Sequence, residues 1–272
     1  MSFDRGSVHR ELWGEGVPVV GMVHLLPLPG SPRWCGSMDE VLSRASLEAA
    51  LLGEEGLDGI LVENFGDAPF FPERVPPETV AAMAVVVREV VRCTPLPVGV
   101  NVLRNDAHAA LAVAVAAGAR FMRVNVHTGS MFTDQGLLRG QAHRTLRMRR
   151  NLGVSLPLLA DVMVKHATPP PGATLEAVAR DCWFRGMADG LILTGSETGA
   201  SVDLGIIRQL RGALPADAKL WVGSGANPES APALIQAADG IIVGSARQSG
   251  GAAGAGIDRS RVRALMNALN RC

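Results

Sequence analysis

The chain has 272 residues, of which 26 are basic, 26 are acidic, four are cysteine and none is tyrosine, and 47% are hydrophobic. This composition excludes a disordered, collagen-like or disulfide-stapled protein, and the length suffices for one large α/β domain. A formal net charge of zero lacks the basic excess typical of proteins that bind nucleic acids, so no nucleic-acid partner is expected. The basic run at residues 139–150 has no interleaved aromatic residues and is expected to be the outer face of a helix.

The cysteines and the hydropathy pattern indicate a cytoplasmic protein. The cysteines lie singly, without the C-x-x-C spacing of a zinc or redox site, and unpaired thiols suit a reducing compartment. No secretory signal is recognised at the N-terminus, and no run of about 18 apolar residues predicts a transmembrane helix. Whether the chain forms a homo-oligomer is left open by the sequence.

Short runs rich in β-forming residues alternate with longer segments of helical spacing. The runs are nearly continuously apolar, as parallel strands covered on both faces should be. Eight strands are predicted, at residues 17–23, 57–63, 96–102, 119–126, 156–164, 188–194, 219–223 and 239–244. The clearest helical segments are residues 38–55, 78–92, 106–117 and 175–185.

This repeating strand and helix unit predicts an α/β fold, a (β/α)₈ TIM barrel. Parallel strands joined by right-handed helical crossovers form a covered sheet, and eight such units close into a barrel. The alternative is an open, doubly wound sheet of about six strands with a second domain. No linker-like stretch divides the chain, so a single domain over residues 1–272 is expected.

Polar residues concentrate at the carboxyl-terminal ends of the predicted strands, where the active sites of such barrels lie. Some of them would simply meet solvent, but their convergence on one face favours a functional site. We expect Glu63, Asp161 and Lys165 to be catalytic, because carboxylates can move protons and an ammonium group can stabilise a developing oxyanion or form a Schiff base. The expected substrate-binding residues are His24, Asn101, Asn125 and Thr194.

Strand periodicity orders these groups further, because residues two apart share a face. Asp161 and Lys165 are expected on one face of the fifth predicted strand, with Asp161 deeper in the barrel. A carboxylate at that depth is costly unless it is paired or hydrogen-bonded. Asp161 is therefore either a member of a buried network or a site group, and the second interpretation is preferred.

Glycine-rich turns follow the last two predicted strands. Glycine lets the backbone approach an anion, and barrels often bind phosphate after strands seven and eight. Tight turns alone would also explain these glycines. The expected phosphate-binding residues are Ser224, Gly225, Gly244, Ser245 and Arg247. The Gly-x-Gly at 223–225 lacks the G-x-G-x-x-G spacing of a dinucleotide site, and no organic cofactor motif and no metal site are indicated.

Several strings together resemble the BtpA family, also called the BtpA/SgcQ family. The resemblance extends from about residue 17 to the C-terminal helix. It rests on GMVHLLPLPG (21–30), VENFGDAPF (62–70), VGVNVLRND (98–106), FMRVNV (121–126), TDQG (133–136), ADV (160–162), VKHA (164–167), TG (194–195) and GSG (223–225). It implies a TIM barrel of the phosphate-binding type. The family is named for a role in the accumulation of photosystem I in phototrophs, and similar proteins occur beside sugar-uptake genes.

Three functions remain open. The first is an enzyme of the isomerase or lyase (aldolase) type that acts on a small phosphorylated metabolite resembling a sugar phosphate. The second is a non-catalytic assembly or stability factor, as the photosystem I association of the family implies for phototrophs. The third is a metal-dependent nucleoside or nucleotide hydrolase, for which His24, Glu63 and Asp161 are the candidate ligands of a divalent ion.

Overall fold

The computed structural model describes residues 5–195, 203–244 and 254–271. The strands are β1 (Val19–His24), β2 (Gly59–Glu63), β3 (Val98–Asn101), β4 (Phe121–Val124), β5 (Ser130–Thr133), β6 (Gly136–Arg139), β7 (Leu158–Val162), β8 (Ala167–Thr168), β9 (Gly190–Leu193), β10 (Leu220–Val222) and β11 (Gly240–Val243). The helices are α1 (Arg5–Trp13), α2 (Met38–Glu54), α3 (Pro77–Cys93), α4 (Ala107–Ala117), α5 (Ala142–Asn151), α6 (Leu175–Arg180), α7 (Leu204–Ala213), α8 (Ala231–Ala237) and α9 (Arg259–Ala268).

Eight parallel strands close into a barrel in the order β1-β11-β10-β9-β7-β4-β3-β2. Closure occurs between the first and last strands, where Val19 pairs with Ile241 and Val20 with Ile242. Every residue of β1, β2, β3, β4, β7, β9, β10 and β11 is buried, as their near-continuous apolar sequences require. The predicted (β/α)₈ barrel is confirmed, and the open doubly wound sheet is wrong.

Large rings fill the amino-terminal half of the barrel interior. Gly99 and Gly240 make room for them, since a Cβ atom on Gly99 would lie 2.3 Å from the Phe121 ring and one on Gly240 would lie 2.4 Å from the Trp221 ring. Trp13, at the end of α1, packs its ring 5.3 Å from Phe121 and 5.0 Å from Trp221. Helix α1 therefore closes this end of the barrel, which leaves the opposite end for the site.

The helices bury one apolar face against the strands. Helix α3 buries residues at helical spacing, among them Met83, Val86, Val87 and Val90. Helix α4 begins at the cap of Asp106, whose side chain accepts a hydrogen bond from the amide of Ala109. In the basic run, α5 buries only Thr145 and leaves its basic side chains half-buried or exposed, which confirms the predicted outer face.

The sequence did not predict a small second sheet above the barrel. Strands β5 and β6 form an antiparallel hairpin, and β8 pairs with β5 in the order β6-β5-β8. The barrel strands β4 and β7 are correspondingly shorter than the predicted 119–126 and 156–164. Beyond β4, the side chain of Asn105 binds the main chain of Val126 as a neighbouring strand would. It accepts a hydrogen bond from the Val126 amide at 2.8 Å and donates one to the Val126 carbonyl at 3.0 Å.

Candidate active site at the carboxyl-terminal mouth of the barrel

A cavity of about 550 Å³ opens at the carboxyl-terminal ends of the strands. It brings together predicted residues from the ends of six different strands or the loops after them: His24, Glu63, Asn125, Lys165, Ser224, Gly225 and Gly244. The cavity is not lined by the other three predicted residues of the described strand ends: Asn101 and Asp161 are buried, and Thr194 is half-buried. Ser245 and Arg247 lie outside the described residues.

Asp161 is the centre of a buried ion pair beneath the cavity. Its carboxylate accepts two hydrogen bonds from the Arg123 guanidinium, both at 2.9 Å, and a third from Asn125 Nδ2 at 3.0 Å. The Asp161 side chain has no exposed surface, and that of Arg123 is 10% exposed. Asn101 extends the network, because its Nδ2 donates to Asn125 Oδ1 at 3.1 Å. Of the two interpretations drawn from the sequence, the geometry favours the buried network member.

Glu63 is the carboxylate that faces the cavity. Its side chain is 8% exposed, and its Oε1 lies 3.6 Å from Nε2 of His24 at the end of the neighbouring strand. Burial raises the pKa of the Glu63 carboxyl above its ordinary value, and nearby cations, first among them Arg123, only partly offset this rise. The His24 ring stacks on Phe65 with 4.6 Å between the centroids. A carboxyl group with a raised pKa at a cavity wall is suited to general acid–base catalysis.

Lys165 reaches the cavity from a loop and not from a strand. Strand β7 ends at Val162, and both Met163 and His166 adopt left-handed backbone conformations, with φ angles of 54° and 53°. The prediction that Asp161 and Lys165 share one strand face is therefore wrong, although both charges act on Glu63. Burial lowers the pKa of the Lys165 ammonium group to about 8. A substantial fraction of neutral amine is thus present at mildly alkaline pH.

Two arginines of the site were missed by the sequence reasoning. Arg123 lies in the middle of an apolar strand, and this isolated charge was the available signal. Arg104, which is 8% exposed, lines the cavity from the loop after β3. The preceding residue is fixed by Asn64, whose Oδ1 accepts from the Leu103 amide at 2.7 Å. Nη2 of Arg104 donates to the Lys165 carbonyl at 2.6 Å.

The glycine turns after β10 and β11 lie at the cavity wall, as predicted. Gly225 has a φ of +75°, a conformation that favours glycine, and Gly223 packs so closely that an added Cβ atom would lie 2.5 Å from Ile192. Ser224 accepts a hydrogen bond from the Gly195 amide at 3.2 Å. Gly244 faces the His24 ring. The turn after β10 is tight, and the role of both segments in phosphate binding stays a prediction.

The turn of the β5–β6 hairpin also reaches the cavity. Asp134 and Gln135 line it from above, and Asp134 adds a negative charge to the field at Arg104. This hairpin lies between β4 and β7, in a stretch to which the sequence analysis assigned no strand.

Neither a metal cluster nor a membrane helix is found in the described part of the chain. Residues 5–195, 203–244 and 254–271 contain no group of three or more His, Cys, Asp or Glu side chains placed to hold a metal ion. The hydrolase hypothesis assigned His24, Glu63 and Asp161 to a divalent ion, but Arg123 and Asn125 already occupy the Asp161 carboxylate. None of the described helices is long and apolar enough to cross a membrane.

Comparison with known proteins identifies the family and independently supports the fold. The solved structures of thiamine phosphate pyrophosphorylase and of N-(5'-phosphoribosyl)anthranilate isomerase, both from Pyrococcus furiosus, are similar to this chain with TM-scores of 0.59 and 0.56. Each is 14% identical in sequence; the first comparison covers 97% of this chain and 98% of the other, and the second covers 94% and 100%. At this identity the similarity shows the fold alone.

The sequence comparison is more specific. The Photosystem I biogenesis protein BtpA of Synechocystis sp. is 48% identical over 252 residues, which is 93% of this chain and 88% of that protein. The model of the BtpA family matches residues 15–271. The chain therefore belongs to the BtpA family.

Proposed function

We propose that this protein is an enzyme that binds a small phosphorylated metabolite, resembling a sugar phosphate, at the mouth of the barrel and moves a proton within it, as isomerases and lyases do. The observation that carries this proposal is Glu63. It is a buried carboxyl group at a cavity wall, its pKa is raised by burial, and a histidine lies 3.6 Å away.

The remaining groups have complementary roles in this proposal. Lys165 stabilises negative charge that develops on a substrate oxygen, or forms a Schiff base with a carbonyl group. His24 and Asn125 position hydroxyl or carbonyl groups. Asp161 acts through Arg123 and Asn125, so we revise its role from proton transfer to positioning.

The phosphate group is proposed to bind at the glycine turns. Gly223, Ser224, Gly225 and Gly244 line one wall of the cavity, where the backbone can come close to an anion. The names of the two Pyrococcus furiosus neighbours refer to phosphorylated compounds, which agrees with this assignment for a barrel of the same fold.

A turnover screen over phosphorylated aldoses, ketoses and sugar acids tests the proposal. Glu63→Gln keeps the shape of the side chain but removes the proton-transfer group, so turnover of the substrate found should fall by about 10²- to 10⁴-fold. Glu89→Gln, on an exposed position of α3, is the matched control and should keep full turnover. Full activity of Glu63→Gln on that substrate would refute the catalytic assignment.

An assembly role is the second candidate function. It is favoured by the 48% identity to a protein named for photosystem I biogenesis. An affinity purification from the source organism distinguishes the two functions. Recovery of a stoichiometric protein partner, together with no ligand binding and no turnover across the metabolite screen, would place the assembly role first.

A further inference from the structure

The cavity is lined by three cationic side chains, and only one of them is paired with a carboxylate. Arg123 is neutralised by Asp161, whereas neither Arg104 nor Lys165 forms an ion pair with any carboxylate of the described residues. Arg104 is 8% exposed and uses one nitrogen for the Lys165 carbonyl. A guanidinium group has five N–H donors and Arg104 lines the cavity, so donors remain that a ligand can use.

Arg104 is also held in place before any ligand arrives. The amide of Leu103 is bound by Asn64, the amide of Arg104 itself donates to the Phe71 carbonyl at 3.0 Å, and its side chain reaches the Lys165 carbonyl at 2.6 Å. The chain has only two lysines, and one of them, Lys165, lines the same cavity wall and offers its main-chain carbonyl to this guanidinium. Asp161 and Glu63 act on both cations only at a distance. Placing two positive charges in a partly desolvated cavity without a directly bonded anion is costly, which indicates that a ligand supplies one.

The strand order places Arg104 far from the glycine turns, whereas Lys165 lies closer to them, because only β9 separates β7 from β10. Between β3 and β10 lie three strands in each direction around the barrel, namely β4, β7 and β9 one way and β2, β1 and β11 the other. Arg104 follows β3, and the turn of Gly223 to Gly225 follows β10, so the two lie across the mouth from each other. Glu63, at the end of β2, lies between them on the side of the rim formed by β2, β1 and β11.

We propose that Arg104 and Lys165 bind a second anionic group of the substrate, so that the ligand of this barrel is a phosphorylated compound with a carboxylate or a second phosphate at its other end. This inference rests on the proposed function for the phosphate at the glycine turns. The planar donors of Arg104 suit both groups, since each can accept two parallel hydrogen bonds. Lys165 adds a point charge beside them, so of its two proposed roles the electrostatic one is retained here.

Calorimetry with matched pairs of probes tests the second anion site without requiring turnover. The pairs are 3-phosphoglycerate with glycerol 3-phosphate, and 6-phosphogluconate with glucitol 6-phosphate, which differ by a carboxylate in place of a hydroxymethyl group at two chain lengths. Fructose 1,6-bisphosphate with fructose 6-phosphate tests a second phosphate. In at least one pair the doubly anionic member should bind about tenfold or more tightly, as a charge-assisted contact provides.

Variants assign that preference to the two residues. Arg104→Met and Lys165→Met should each reduce the preference to about threefold or less. Arg120→Met, on an exposed side chain just before β4 at the closed end of the barrel, should retain it. Because Arg104→Met removes a hydrogen bond to the lysine loop, thermal unfolding is recorded for each variant, and Lys165→Met supplies an independent reading.

The outcomes separate the two proposals. Equal binding within every pair by the wild-type protein, or an unchanged preference in both variants, overturns the second anion site and leaves the phosphate site standing. Absence of binding by all six compounds overturns both proposals.

Discussion

Asp161→Asn should destabilise the protein strongly, because it leaves Arg123 buried without a counter-charge. The carboxylate accepts three hydrogen bonds at 2.9, 2.9 and 3.0 Å, and its side chain is fully buried. An asparagine keeps one acceptor oxygen, but its NH₂ group must then face a donor of Arg123 or of Asn125. Breaking a buried pair by removing one partner costs about 3 to 5 kcal/mol, and we expect a loss in this range.

Urea unfolding followed by circular dichroism measures this loss. Asp181→Asn is the matched control: Asp181 and Arg185 form a pair at 3.7 Å whose side chains are 54% and 82% exposed, and exposed pairs contribute about 0 to 1 kcal/mol. The double substitution Arg123→Met with Asp161→Leu removes both charges and should regain part of the stability. Equal unfolding midpoints for Asp161→Asn and Asp181→Asn would refute the reasoning.

Three further predictions concern protonation and packing. Glu63 has a raised pKa in the folded state, so its contribution to stability is complete at low pH and is lost as pH rises through the raised value. The free energy of unfolding of Glu63→Gln, measured by urea unfolding at several pH values, should lack this decline. Parallel pH profiles of the wild-type protein and the variant would contradict the prediction. Acetylation of Lys165, followed by peptide mass spectrometry, should reach half its maximal rate near pH 8, and a midpoint above pH 10 would contradict the burial argument. Gly99→Ala should lower the free energy of unfolding in urea by about 1 to 3 kcal/mol, because its Cβ atom would lie 2.3 Å from a phenylalanine ring. Gly212→Ala, with open space around it, is the control and should not destabilise the protein. Equal effects of the two substitutions would show that the barrel interior relaxes freely.

The fold could be predicted from the sequence because its signals are local. Strands of three to six residues that are covered on both faces must be apolar throughout, and the helices between them carry caps such as Asp106 and turn glycines such as Gly118. Parallel strands joined by helices all end on the same face. The positions of His24, Glu63 and Gly223 at that face follow directly, since period-two alternation turns them inward with Met22, Leu61 and Trp221.

The pairing of charges was decided only by the tertiary structure. Strands β4 and β7 are neighbours in the barrel although a hairpin and a helix separate them in sequence, and their register places Arg123 opposite Leu159. Asp161 is therefore the diagonal neighbour of Arg123 on the same interior face, 38 residues away along the chain. Similarly, Arg104 meets the Lys165 carbonyl across 61 residues. The sequence by itself determined that the strand ends meet at one mouth. Strand register and loop conformation, which depend on contacts between distant segments, determined which side chains line the cavity and which carboxylate is neutralised.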